Sequence, residues 1–408
     1  MTDDNERRYW NPAAQTMRRP ELEELQAERL REAVAQAYEA PFFKQRLLEA
    51  QITPDDIRTV ADTRQLPTFV KADLRDDEAA NPPIGSYRAM GLSDAVRIAM
   101  SSGTTGRPTA AIFTRHDLDI ECELSARSHY RLGIRPGMLV VGAHPGYLNG
   151  GQGLQQAAYE YMGCLLVSID PPESSEVAER ALRTIQHLPV DRWQLFPAAL
   201  QRLREAASRI GFEGLPEAGR VGPHTQYDKI SAGMECVAYL GSTCGESPGS
   251  HLAEDYAIVE ALDLTSDASV PDGIRGRLVV TSLGRDNPML RYDLEDVVRI
   301  DSRPCPCGET SRRGFWEGRV KDIVWVADQP VLPIDVWQAL PADAEFVLRR
   351  PARPATRLKV QVEGERDRII EDRLNMTVGV PVDVEWITEG TLRRASYKAQ
   401  RVVDEPQR

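Results

Sequence analysis

The chain has 408 residues, and its 62 acidic and 50 basic side chains give it a formal net charge of −12 at pH 7. This acidic balance is untypical of nucleic-acid-binding proteins, which usually carry a basic patch, and of cationic helices that lie on membranes. Hydrophobic residues make up 41% and charged residues 27% of the chain, as in a globular protein with a sizeable core. There is no run of about 18 apolar residues, as a membrane-spanning helix needs, and the acidic first six residues are unlike a secretory signal. We therefore expect a cytoplasmic protein of two or three structural units, without nucleic-acid or membrane partners.

The first 245 or so residues alternate helical and extended segments. Apolar residues between 20 and 50 recur at helical spacing, which predicts a helix there. After a break at Leu66-Pro67, helical composition resumes at Lys71. Composition predicts the further elements, which are strands at 96–100, 138–143, 164–169, 276–281 and 297–300 and a helix at 176–185. The alternation, followed by a strand-rich region, predicts α/β layers.

The last 70 or so residues form a separate pattern. Alternating side chains at 346–350, 358–362 and 382–386 predict three half-buried strands, and 366–374 has helical composition. This β-β-α-β order is typical of a small α+β lobe. The predicted fold class is therefore α/β, with a large multi-layer N-terminal domain plus a small α+β C-terminal lobe.

The most informative stretch joins two predicted strands and reads Ser101-Ser102-Gly103-Thr104-Thr105-Gly106-Arg107-Pro108-Thr109. The two glycines relax the backbone, so that successive N–H groups can converge on an anion. Hydroxyl groups add donors, and Arg107 adds positive charge. The stretch lacks the Gly-Lys-Ser/Thr ending of the Walker motif. Composition alone leaves two interpretations open, a phosphate-binding loop and a flexible hairpin loop.

The whole stretch resembles the phosphate loop of the adenylate-forming enzymes, in their phenylacetate–CoA ligase-like branch, with Arg107 in place of the usual lysine. Further segments resemble this branch in the same order along the chain, namely 9–10, 40–43, 66–75, 150–153, 289–296, 318–322 and 390–402. The resemblance therefore covers most of the chain.

The resemblance implies that ATP and a carboxylic acid react to give an acyl-adenylate, whose acyl group then passes to CoA. The loop 101–106 is implied to orient the leaving pyrophosphate. Asp296 is implied to accept hydrogen bonds from the ribose hydroxyls, and Arg319 to contact the nucleotide. Lys398 is implied to be catalytic, because the attacking carboxylate and the α-phosphate are both anionic and their transition state needs positive charge.

The segment 318–322 resembles the hinge of the family. The resemblance therefore implies an N-terminal domain at 1–320, which binds ATP and the acid, and a mobile lobe at 321–408, which carries Lys398. Five residues are expected to border the acid pocket, namely His144, Tyr147, Asn149, Gly150 and Gly151. An aromatic acid is one candidate substrate, and a homodimer is a further expectation.

A second group of residues has metal-ligand spacing. Cys305 and Cys307 are separated by one proline and precede a glycine, and Cys244 and His251 form a remote pair. Together they would complete a tetrahedral zinc set with no open position, so the site is expected to be structural. The alternative is that Cys305 and Cys307 are ordinary thiols in a turn.

The resemblance is imperfect at 239–246, which reads Tyr-Leu-Gly-Ser-Thr-Cys-Gly-Glu where the family has Tyr-Gly-x-Thr-Glu with a magnesium-binding glutamate. No ungapped alignment matches both Tyr239 and Glu246. Thr243 is expected at the nucleotide. Either Glu246 is the magnesium ligand, or Cys244 occupies the glutamate position and that ligand is lost.

Two further segments depart from the family pattern. Residues 221–224 replace an adenine-binding strand, and 327–331 replace a Gly-x-Asn loop that lines the pantetheine tunnel. Asp328 and Pro330 add charge and stiffness there, which disfavours an incoming thiolate. The acceptor is therefore left open between CoA, an amine, a hydrazine-like nitrogen and a carrier-protein thiol. An alternative activity is ATP-driven N–N bond formation through an activated nitrite or carboxylate. A non-catalytic nucleotide-binding homologue is a further alternative.

Overall fold

The structure is a computed structural model that describes residues 8–100, 108–143, 150–195, 197–216, 229–341, 343–351, 355–392 and 400–405. The helices in these ranges are α1 (Pro12–Gln15), α2 (Arg19–Ala37), α3 (Pro41–Glu49), α4 (Lys71–Ala80), α5 (Arg115–Arg131), α6 (Gly150–Tyr161), α7 (Ser175–Ile185), α8 (Pro197–Ile210), α9 (Pro333–Trp337) and α10 (Arg368–Thr377).

The strands up to the end of the large sheet are β1 (Phe69–Val70), β2 (Arg97–Met100), β3 (Ala110–Phe113), β4 (Leu139–Ala143), β5 (Leu165–Ile169), β6 (Arg192–Gln194), β7 (Lys229–Ile230), β8 (Gly241–Thr243), β9 (Ser250–Leu252), β10 (Ala257–Leu262), β11 (Gly276–Ser282), β12 (Tyr292–Asp301) and β13 (Arg313–Arg319). The remaining strands are β14 (Val324–Val326), β15 (Gln329–Val331), β16 (Phe346–Arg350), β17 (Leu358–Glu363), β18 (Val382–Ile387) and β19 (Val402–Asp404).

Three sheets build the N-terminal part. An eight-stranded sheet has the order β10-β11-β12-β13-β9-β8-β7, with β1 added to β12 as a parallel strand. A second sheet, β5-β4-β6, is parallel and includes two of the strands predicted from apolar runs. Strands β2 and β3 form an antiparallel pair. The predicted α/β class with a strand-rich second half is confirmed.

The C-terminal part has its own sheet, in the order β18-β17-β16-β19, and its own apolar core. Leu348 and Val360 are fully buried there, and Leu374 of α10 packs with them. The predicted β-β-α-β order is present. A further strand, β19, pairs in parallel with β16. The sequence did not indicate β19, because three residues are too few to show a period.

The helix predicted over 20–50 is two helices, so the prediction of one element is wrong. Helix α2 ends at Ala37, and α3 begins at Pro41. Proline has no N–H to continue a preceding helix, but it is favoured at the first helical position. Both helices face the main core, where Leu30 and Phe43 are buried.

No helix in the described residues combines the length and the apolar character needed to cross a membrane.

Candidate active site and metal centre

Two segments that resemble the ligase family, 66–75 and 289–296, bind each other. Arg291 donates to the carbonyl of Leu66 at 2.8 Å and forms a bidentate ion pair with Glu260, with both contacts at 3.1 Å. Both side chains are largely buried, so this pair is a structural one. It fixes the start of β12 and hence the position of the residues farther along this strand.

Asp296 and Arg319, both predicted at the nucleotide, lie opposite each other on the neighbouring strands β12 and β13. Arg319 Nε lies 2.7 Å from Asp296 Oδ1. The carboxylate is buried, whereas the Arg319 side chain is 47% exposed. A fixed carboxylate beside a solvent-facing guanidinium can bind hydroxyl groups and an anion side by side.

The two strands that flank the predicted phosphate loop are held by hydrogen bonds. Met100 pairs with Ala110 across the antiparallel strands β2 and β3, so the loop connects two adjacent strand ends. Glu78 accepts the Ala110 N–H at 3.1 Å, and Arg88 donates to the Ala110 carbonyl at 2.6 Å. Sequence reasoning missed this buried clamp, because the partners lie 22 and 32 residues away. Outside the described residues are Ser101, Ser102, Gly103, Thr104, Thr105 and Gly106.

The predicted acid pocket follows the carboxyl end of β4, in the connection to α6. Ligands of open parallel sheets commonly bind at such strand ends. Gly150 and Gly151 are the first residues of α6, and Arg97 of β2 donates to the carbonyl of Gly153 at 2.8 Å. The helix start is thereby tied to the strand that leads into the phosphate loop. Outside the described residues are His144, Tyr147 and Asn149.

Lys398 also lies outside the described residues. The described residues on either side of Lys398 contact the C-terminal part. The backbone N–H of Leu392 donates to Glu363 Oε1 at 2.5 Å, and β19 pairs with β16.

Thr243 and Glu246 lie at the end of β8 and just beyond it. The backbone N–H of Gly245 donates to Thr243 Oγ1 at 3.2 Å. Glu246 is 47% exposed and forms an ion pair with Arg8. Its role as a magnesium ligand stays a prediction.

The four predicted metal ligands, Cys244, His251, Cys305 and Cys307, meet in one cluster, with their ligand atoms all within 4.8 Å of one another. The sulfurs of Cys244 and Cys305 are 3.7 Å apart, and Cys307 Sγ lies 3.3 Å from His251 Nε2. A tetrahedral zinc site with Zn–S bonds of about 2.3 Å has ligand–ligand distances of about 3.5–3.8 Å. Hydrogen bonds from Cys307 and His251 outweigh burial and lower the pKa of the Cys244 thiol. The donor set therefore fits zinc.

Neighbouring groups hold these ligands in place. His251 Nδ1 lies 3.1 Å from the carbonyl of Ser311, which leaves Nε2 directed at the sulfurs. The Tyr9 hydroxyl donates to the carbonyl of Cys307. The sequence did not predict these two contacts, because neither Ser311 nor Tyr9 belongs to a metal-binding motif.

The chain has relatives among curated enzymes. It is 32% identical over 396 residues to a phenylacetate–coenzyme A ligase of Thermus thermophilus, a match that covers 91% of this chain and 85% of the relative. The chain belongs to the phenylacetate–CoA ligase family. No family model matches it.

Solved structures agree with this assignment. A 2-hydroxyisobutyryl-CoA ligase in the postadenylation state, in complex with 2-HIB-AMP, has a TM-score of 0.79 at 25% identity, covering 98% of this chain and 92% of that one. The same ligase in the thioesterification state, with 2-HIB-AMP and CoA, has a TM-score of 0.67 at 26% identity and the same coverage. As a member of the family, the chain is an AMP-forming acid–CoA ligase. It activates a carboxylic acid with ATP to an acyl-adenylate and transfers the acyl group to CoA.

If Asp296 holds the ribose in this phenylacetate–CoA ligase homologue, Asp296→Asn should raise the KM for ATP about tenfold or more. The loss of a charge-assisted hydrogen bond costs about 1.5–3 kcal/mol. Initial rates of pyrophosphate release against ATP concentration provide the measurement.

Asp293→Asn is the matched control, because Asp293 is a buried carboxylate of the same strand and pairs with Arg277. An unchanged KM in Asp296→Asn, or an equal rise in both variants, would contradict the ribose assignment.

Proposed function

We propose that the carboxylic acid that this ligase activates is an aromatic acid of the phenylacetate type. The observation that carries this proposal is the relationship to the phenylacetate–CoA ligase of T. thermophilus over nearly the whole chain. The ion pair of Asp296 with Arg319 supports the assignment of these two residues to ATP, because a buried carboxylate and an exposed guanidinium suit a nucleotide.

In this proposal, one oxygen of the acid attacks the α-phosphorus of ATP, and the bond to pyrophosphate breaks. Lys398 supplies positive charge between the two anions, and residues 101–106 orient the pyrophosphate. Asp296 holds the ribose, while Arg319 and Thr243 contact the nucleotide. The CoA thiol then attacks the acyl carbon, and AMP leaves with the oxygen that came from the acid.

Mg²⁺ would neutralise negative charge on the phosphates of ATP. We assign Glu246 as its protein ligand. The position of Cys244 within the thiol cluster supports this choice, because a zinc-bound thiolate cannot also hold magnesium. The exposed Glu246 carboxylate would then exchange Arg8 for the metal.

Zinc would be held by Cys244, His251, Cys305 and Cys307 and would have a structural role, since four protein ligands leave no open position. It would link β8 and β9 to the connection between β12 and β13. Thr243 belongs to β8, and Asp296 belongs to β12, which precedes that connection. The metal would thereby help to hold together the strands that carry these two nucleotide-assigned residues.

The N-terminal domain would span residues 1–320 and the mobile lobe residues 321–408, and the lobe would rotate about Asp322 between the two half-reactions. Burial raises the pKa of the Asp322 carboxyl. The TM-score is lower to the thioesterification structure of one ligase, at 0.67, than to its postadenylation and open structures, at 0.79 and 0.77, which supports a lobe that takes more than one arrangement.

A panel of acids tests the proposed function. Purified protein is given ATP, Mg²⁺ and either arylacetates, benzoates, short hydroxy acids or fatty acids, and pyrophosphate is measured. We expect an arylacetate to give the largest acid-dependent release. Active acids are then offered CoA, simple amines or a phosphopantetheinylated carrier protein.

CoA is expected to give the acyl thioester. If amines alone are acylated, the acceptor assignment is wrong. If no acid in the panel releases pyrophosphate from folded protein, the non-catalytic alternative is favoured.

A further inference from the structure

One arginine side chain connects the N-terminal part with the C-terminal part. Arg275, which precedes β11, makes a bidentate contact with Asp335 of α9, at 2.9 Å from Nη1 and 2.5 Å from Nη2. Its Nε donates to Glu317 of β13 at 2.5 Å. Burial alone would lower the pKa of Arg275, but Asp335 and Glu317 outweigh it and raise that pKa. The guanidinium is thus fixed by two carboxylates from different parts of the chain.

Asp335 moves with the C-terminal lobe, because its helix is built into that lobe. Val336 and Ala339 are fully buried in the core of the C-terminal sheet. Asp335 also accepts the Leu332 N–H at 2.9 Å, which caps α9. The carboxylate is therefore held rigidly on the lobe that would rotate.

Glu317 belongs to the N-terminal part. It lies in the middle of β13, is 5% exposed, and is shared between Arg275 and Arg299 of β12. Among the residues that the structure describes, Arg299 contacts none in the C-terminal lobe. Every other ion pair between described residues lies within 8–320 or within 321–405.

A small apolar contact accompanies this ion pair. Val297 of β12 packs with Ile323, Leu332 and Ile334. A Cβ on Gly318 would meet Leu332 at 3.2 Å, so glycine permits this close approach. An apolar contact of this kind holds two surfaces together, but the ion pair fixes their angle, because bidentate geometry is directional.

We propose that Arg275 is a positioning residue that holds the C-terminal lobe in the adenylate-forming arrangement, through its contact with Asp335, and that this contact must break before acyl transfer. The inference rests on the proposed lobe rotation. The TM-score is lower to the thioesterification structure, at 0.67, than to the postadenylation and open structures, at 0.79 and 0.77. The contact therefore belongs to an arrangement other than that of acyl transfer, and we infer that this is the adenylate-forming one.

Arg275→Ala and Asp335→Asn test the proposal from its two sides. The asparagine keeps an oxygen that can cap α9. Arg299→Ala is the matched control, because it removes the other arginine from Glu317 within the N-terminal part.

Acyl-adenylate formation and acyl transfer from supplied acyl-adenylate are measured separately in single turnovers. Lobe orientation is measured by electron–electron distances between spin-labelled unnatural residues at Glu28 and Met376, both exposed.

Either variant should shift the equilibrium between the two lobe arrangements by about five- to tenfold. Adenylation should then slow by about two- to fivefold, as fewer molecules hold the competent arrangement, while transfer stays equal or becomes faster. The double variant should add little to either single one, and Arg275→Lys should restore part of the effect. Arg299→Ala should change neither step.

An unchanged distance distribution in both variants, or the same rates as in Arg299→Ala, would overturn the assignment of Arg275. The proposed function would survive that result if the wild-type protein still released pyrophosphate with an arylacetate and formed its CoA thioester. If no acid released pyrophosphate from folded wild-type protein, the proposed function itself would fail, whatever the result at Arg275.

Discussion

Replacing Lys398 by alanine is expected to slow acyl-adenylate formation by about a hundredfold or more. Two anions meet in this step, and the loss of a preorganised charge in such a transition state costs about 3 kcal/mol. Transfer from supplied acyl-adenylate to CoA should change much less, because the bond between the acid oxygen and the α-phosphorus is already formed. Rapid-quench single turnovers of each half-reaction provide the measurement.

Lys359→Ala is a matched control, because Lys359 is an exposed lysine of the same lobe that pairs with Glu405. It should leave both steps unchanged. Lys398→Arg keeps the charge and should retain part of the adenylation rate. If Lys398→Ala reduced both half-reactions by the same factor, Lys398 would not be the adenylation residue.

The second large effect is expected at the metal centre. Cys305→Ser should reduce zinc from about one atom per chain and should lower thermal stability, because the free energy of ligand binding to a structural site is folding free energy. The site joins residues 61 positions apart, at Cys244 and Cys305. Its loss should therefore loosen the large sheet. Metal analysis by mass spectrometry and calorimetric unfolding provide the two measurements.

Cys164→Ser controls for the loss of a thiol, since Cys164 is half-buried and lies outside the cluster. It should keep both zinc and thermal stability. Metal-free wild-type protein of full stability would rule out zinc at this site, and so would a Cys305→Ser variant that retains its zinc.

Sequence patterns predicted most of the fold where the local signal was strong. The alternation at 346–350 and 358–362 requires two half-buried strands, and these form as predicted. Pro41 divides the predicted long helix, a break that helical spacing alone did not reveal. Three-residue strands such as β19 form only through pairing with a distant strand, so local composition could not indicate them.

The ligands of the candidate metal site could be predicted from the sequence, because closely spaced cysteines are typical of one chemistry, metal binding. The close pair Cys305 and Cys307 indicated a metal site, and the structure brings Cys244 and His251 to it. By contrast, Arg275 and Asp335 lie 60 residues apart and belong to no motif. Most charged residues are solvated and have no specific partner. An ion pair between the two lobes therefore cannot be predicted from the sequence and is found only in the folded structure.

Isotope transfer from the acid to AMP tests the central claim most directly. The active acid is prepared with ¹⁸O in both carboxyl oxygens and is incubated with protein, ATP, Mg²⁺ and CoA. An acyl-adenylate mechanism leaves one labelled oxygen on the phosphate of AMP and the other in the carbonyl of the acyl-CoA, with unlabelled pyrophosphate. Label-free AMP, or ADP with labelled inorganic phosphate, would contradict the assignment of this chain as an AMP-forming ligase.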